Sequence, residues 1–118
     1  MALKVSLWHN WGLHQDTPPQ NDFSTALKLA RKACNVSQEA FGFVSSRTYV
    51  SSIERGLKQP TLNKVDELAS VLGIHPLALL ALSYLTSDGS TTQESLLADV
   101  SRELTRILAH RVNLDTHP

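Results

Sequence analysis

Between Asp22 and Leu85 the apolar side chains fall in short runs at helical spacing, and nearly every run is fenced by a residue that starts or stops a helix. Asn21 or Asp22 can cap a first helix whose inward stripe is Phe23, Ala26/Leu27, Ala30 and Ala33/Cys34, with Asn35 as terminator. Ser37 is placed to cap a second, which carries Ala40, Phe41 and Val44 inward and is weakened by Gly42. Ser45 or Ser46 can cap a third, where only Val50 and Ile53 point inward before Gly56 ends it. Pro60 and Thr61 open a fourth, with Leu62, Val65, Leu68/Ala69 and Leu72 on one face and Gly73 as its stop. Pro76 suits the first position of a fifth helix over residues 76–85, apolar almost all round. Thr91 and Glu94 form a capping box for a sixth over residues 92–111, striped by Leu97, Val100, Leu104, Ile107/Leu108 and Arg111. No strand or repeat is legible after residue 21. The spacing predicts an all-α fold: a five-helix domain with an additional C-terminal helix.

Three segments follow from this pattern: an N-terminal arm and linker over 1–21, the helical domain over 22–85, and the C-terminal helix over 91–112. In the arm, Val5, Leu7 and Trp8 have strand-like spacing, which Gly12 and Thr17-Pro18-Pro19 interrupt. Trp8 and Trp11 can pack the arm onto the body or onto a partner chain. At 118 residues the chain is one domain's worth of sequence with short appendages.

The longest apolar run, residues 76–82, is too short to span a bilayer. Residues 1–15 lack a continuous apolar core and a small-residue cleavage site, and so make a poor signal peptide. Cys34 has no partner for an internal disulfide, which fits a reducing, cytoplasmic setting, and it reads as a small core residue. His9 and His14 lie five apart, while His75, His110 and His117 are scattered, so no metal site is expected. No cofactor is expected either. Neither a glycine-rich phosphate loop, a nucleophile elbow nor an acid–base pair is evident, and no enzyme activity is expected.

Formal net charge is zero, but it is unevenly spread. Residues 22–60 hold six basic side chains against three acidic ones, whereas residues 61–118 hold four against seven. A polarised chain of this kind can present a basic face while remaining neutral overall.

The order Ser37-Gln38-Glu39, then Ile53-Glu54-Arg55-Gly56, then Pro60-Thr61-Leu62 before a helical stretch ending at Leu72-Gly73-Ile74 resembles the phage-repressor/Cro-like helix-turn-helix family, the XRE family. The resemblance covers roughly half of the chain. It departs from the family's usual pattern in one place. The stretch from Ser37-Gln38 to Ile53-Glu54 is about two residues shorter, and Val44-Ser45-Ser46 stands where the turn glycine is usual. The simplest reading trims the end of the second helix and tightens the turn.

The resemblance implies a sequence-specific transcriptional regulator that binds double-stranded DNA as a homodimer on a palindromic operator, with a recognition helix near residues 46–55. It places Gln38 against a phosphate or base edge, and it pairs Glu54 with Arg31 as a structural lock. The residues themselves are compatible with this. Arg47, Thr48, Ser51 and Ser52 are left outward on a surface of small hydroxyls, and with Ser46 they can approach a groove closely. Arg47 can take a guanine or a phosphate. Tyr49 lies at the groove's edge or packs on a neighbouring helix, and Lys58 and Thr61 are candidate backbone clamps. Leu79 and Leu82 of the fifth helix and Leu97, Val100, Leu104, Ile107 and Leu108 of the sixth supply apolar surface for dimerisation; the alternative use of the sixth helix is to close its own core.

A second function class is a protein-interaction module, antitoxin-like in its partner binding, that keeps the fold with little or no DNA binding. Zero net charge and the single basic residue on the outer face of the third helix favour it. A small-molecule effector or protein partner leaves no signature in the chain.

Overall fold

A computed structural model describes residues 21–87 and 89–115, with side chains as far as Arg111. The expected arm, with its strand-like Val5, Leu7 and Trp8, lies outside the described residues apart from Asn21. Gln20–Gly89 form one compact unit, and the last helix belongs to a second. Among the described residues there are five α-helices, a short 3₁₀ helix and no strand.

Helix α1 (Phe23–Ala33) starts at Asp22, whose carboxylate accepts from the Thr25 backbone N–H at 3.2 Å. A 3₁₀ helix (Gln38–Phe41) follows, then α2 (Arg47–Glu54) and α3 (Leu62–Leu72). The hydroxyls of Ser46 and Thr61 cap α2 and α3 by accepting from the N–H groups of Tyr49 and Lys64. Helix α4 (Pro76–Ser87) is opened by His75, whose Nδ1 accepts from Leu77 N–H at 3.0 Å.

Three helices end in the same way. Asn35, Gly56 and Gly73 each take a left-handed conformation, with φ of 58°, 77° and 73°. The N–H of the following residue, Val36, Leu57 or Ile74, then reaches back to the carbonyl of Arg31, Ser52 or Ala69. Each end thereby satisfies carbonyls that a helix terminus would otherwise leave bare.

The core is built by Phe23, Leu27 and Ala30 of α1, Phe41 of the 3₁₀ helix, Val50 and Ile53 of α2, Val65, Leu68, Ala69 and Leu72 of α3, and Leu79 of α4. Helix α4 lies along α1, and their ends are tied by hydrogen bonds from Asp22 N–H to the Ser83 carbonyl and from the Thr86 hydroxyl to the Asp22 carbonyl.

The second expected helix is corrected. It is a single 3₁₀ turn rather than an α-helix, and Ser37 gives it no side-chain cap. Val44 and Ser45 both donate to the Phe41 carbonyl, so the chain folds back at once, where a further α-turn would need the two missing residues. Leu79 is corrected as well: it is fully buried in the core and is not available to a dimer surface. On a helix apolar on every side, composition does not tell which face turns inward. Here the inward line is Leu79 and Ser83, while Leu77 is exposed.

Helix α5 (Gln93–Asp115) is longer than expected, having no breaker before its end. At its start the Thr92 hydroxyl accepts from Ser95 N–H at 3.1 Å. Leu97, Val100, Leu104, Ile107 and Leu108 are exposed along it, and Leu96 is buried. Among the described residues no single helix is long and apolar enough to cross a membrane.

Candidate nucleic-acid interface

Helix α2 is held from beneath by a buried polar knot. Arg31 of α1 donates from Nε to Glu54 Oε2 at 2.6 Å and from a terminal nitrogen to Oε1 at 3.1 Å, a two-pronged pairing across 23 positions of sequence. Gln38 adds a bond from Nε2 to Glu54 Oε1 at 3.0 Å. The second terminal nitrogen of Arg31 donates to the Val36 carbonyl at 3.2 Å, where the chain leaves α1. The two charged side chains are only 15% and 3% exposed. Burial pushes the Glu54 carboxyl up, but the hydrogen bonds from Arg31 and Gln38, with the charge of Arg31, outweigh it and hold the group below its ordinary value. Hydrogen bonding to Glu54 likewise raises Arg31, against the effect of its own burial.

The knot decides how α2 is presented. Val50, Ser52, Ile53 and Glu54 face inward. Ser52, expected outward, is corrected: it is 8% exposed and forms part of the seat. A hydroxyl reads as a surface residue in an apolar pattern, and only the packed geometry shows that the buried arc is wider than Val50 and Ile53. Arg47 and Thr48 remain exposed and Ser51 half-exposed. Ser46 is exposed, with its hydroxyl oxygen engaged as the helix cap.

Two charged features were not legible beforehand. Arg47 lies 3.3 Å from Glu39 of the 3₁₀ helix, both well exposed, so the outermost guanidinium already has a carboxylate partner. The pair is eight positions apart, and only the tight turn brings it together. Lys64 of α3 donates to the Val44 carbonyl at 2.6 Å and pairs with Glu67 at 2.8 Å, fixing the exit of that turn. No sequence signal marks this bond, because its acceptor is a backbone atom twenty positions away.

Tyr49 is half-buried against the core, and the ammonium groups of Lys58 and Lys64 each lie 5.6 Å from its ring centroid. Of the two expected placements of Tyr49, the one observed is packing: the ring lies against the core and toward α3. Lys58 is exposed, and the Thr61 hydroxyl is used as a cap. Gln38 is half-buried with its amide nitrogen committed to Glu54.

Residues 27–79, just under half of the chain, match the helix-turn-helix family model, and this span begins in α1 and ends in α4. The chain is also similar to "Control protein C.BamHI" of Bacillus amyloliquefaciens, 40% identical over 48 residues, a match covering 39% of this chain and 59% of that protein. The match therefore spans less than two thirds of the relative's length. No solved structure matches the chain significantly. Residues 27–79 match the helix-turn-helix family and carry the Arg31–Glu54 knot beneath α2, and this segment is a helix-turn-helix domain.

Proposed function

We propose that the chain is a sequence-specific, DNA-binding transcription regulator acting as a homodimer on a palindromic operator. The observation that carries this reading is the seating of α2. Its inner face is locked by Glu54, Arg31 and Gln38, and its outer face offers Arg47 and Thr48 at the capped amino end and half-exposed Ser51 one turn on, within a segment that matches the helix-turn-helix family. A recognition helix lies in the major groove with its first residues against base edges. Arg47 then reads guanine or holds a phosphate, with Ser46, Tyr49, Lys58 and the amino end of α3 at Thr61 flanking it. Gln38 acts chiefly by positioning Glu54, leaving its amide oxygen for the DNA side.

The dimer assignment rests on α5. Leu97, Val100, Leu104 and Ile107 follow a three-four spacing, with Leu108 alongside, the pattern of a two-helix seam, and all five are exposed. One recognition helix covers too few base pairs for useful discrimination, which a second copy supplies.

Binding to DNA selected from a randomised pool, followed as salt rises, tests the reading. Specific binding whose logarithm falls steeply with salt, weakened in Arg47→Ala, is the expected result. Binding no tighter than to bulk DNA at every salt concentration would refute it. The Arg47–Glu39 pair favours a second reading, a protein-interaction module, since it occupies the one basic group on the outer face of α2. Under that reading Arg47→Ala leaves DNA binding at the same weak level.

A further inference from the structure

Phe43 is the most exposed large hydrophobic among the described residues, and its side chain is free of the core altogether. It occupies the turn that leads into α2, between Phe41, which is fully buried, and Val44, which packs against the core. That turn is rigidly wound. Val44 and Ser45 donate to the Phe41 carbonyl at 2.9 and 2.8 Å, and Lys64 holds the Val44 carbonyl at 2.6 Å. A Cβ on Gly42 would come within 3.2 Å of the Glu39 carbonyl. The backbone therefore presents the ring outward from a fixed point just ahead of the capped end of α2.

We propose that Phe43 is a specificity-determining residue that reads the C5-methyl group of a thymine at the edge of the major groove. The inference rests on the DNA-binding reading given above. A protein-docking anchor sits at the centre of further apolar surface. Around Phe43 in sequence, Ala40, Gly42 and Ser46 are exposed and Val44 and Ser45 half-buried, with the Glu39–Arg47 pair on either side. A fully exposed ring between two charged side chains, beside the helix end that enters the groove, suits the one apolar feature a base pair offers there. The ring carries no charge, so its contribution is independent of counterion release, unlike that of Arg47.

The test uses the full chain and duplexes it has selected from a randomised DNA pool, resynthesised with deoxyuridine replacing thymidine one position at a time, which removes only the methyl. At one or more thymines the replacement should weaken wild-type binding about fourfold, the effect of one buried methyl. Phe43→Ala should lose at least as much on thymine DNA, be indifferent to deoxyuridine at those positions, and keep the wild-type salt slope. Equal melting temperatures for the two proteins separate this from a folding defect. The proposal is overturned if Phe43→Ala binds like the wild type, or if its loss and that from deoxyuridine simply add. Failure of the wild type to select any DNA would overturn the DNA-binding reading itself, and this inference with it.

Discussion

Glu54 concentrates the energetics of the site in one side chain. It is an acidic residue on the helix proposed to face a polyanion, yet it is buried and fully engaged by Arg31 and Gln38. Replacing it with Gln should cost about 3 kcal/mol at neutral pH, because the Arg31 guanidinium is left without its charge partner. Chemical denaturation of the two proteins measures this. The acid response carries a sign as well. A carboxyl held below its ordinary value of 4.5 stabilises the fold above that pH, and this stability is lost as pH falls through the lower folded-state value. Wild-type stability should therefore drop below about pH 4.5 by more than that of Glu54→Gln, whose amide does not titrate. A pH series of melting temperatures with parallel slopes for both proteins would contradict it. The pairing of Glu54 with Arg31 was available from the family resemblance; the third member, Gln38, was not, since there it was assigned to DNA alone.

At the scale of elements, the chain announces its helix boundaries through local chemistry. Asp22, Thr61, Gly56 and Gly73 act where their residue types suggest, because capping and left-handed termini depend on neighbours within one turn. Asn35 stops α1 by the same device. What local chemistry leaves open is settled by packing. Of the two serines able to cap α2, Ser46 does so, and Ser46→Ala should cost about 1 kcal/mol where Ser45→Ala costs much less; urea midpoints at constant m-value separate them. The 3₁₀ helix was not legible, since Ser37 through Val44 carry an acceptable helical pattern and only the short path to α2 forbids its use. The burial of Ser52 and Leu79 was hidden for a related reason: the width of the inward arc on α2 and the orientation of α4 are fixed by the helices packed against them.

For the whole molecule, the polarity of charge along the chain and the exposed seam of α5 point to one division of labour. Residues 22–60, which hold α1 and α2, carry the basic excess, while residues 61–118, which hold α3 to α5, carry the acidic one, most of it before α5. Replacing Leu104 and Ile107 together by Lys should halve the solution mass while leaving the far-ultraviolet helix signal of the Gln20–Gly89 unit in place. It should also reduce operator affinity far more than any single phosphate contact does, because the second half-site is lost. An unchanged mass would remove α5 from the dimer interface and favour its closing a core of its own.

The hydrogen bonds that join Asp22 to Ser83 and Thr86 have a consequence for how the domain can be assembled. They bring its first and last turns side by side, so the polypeptide is nearly a closed ring whose order of synthesis is arbitrary. A circular permutant that links residue 87 to residue 21 through a few glycines and opens the chain at the exposed Lys58-Gln59 stretch should fold to the same helices.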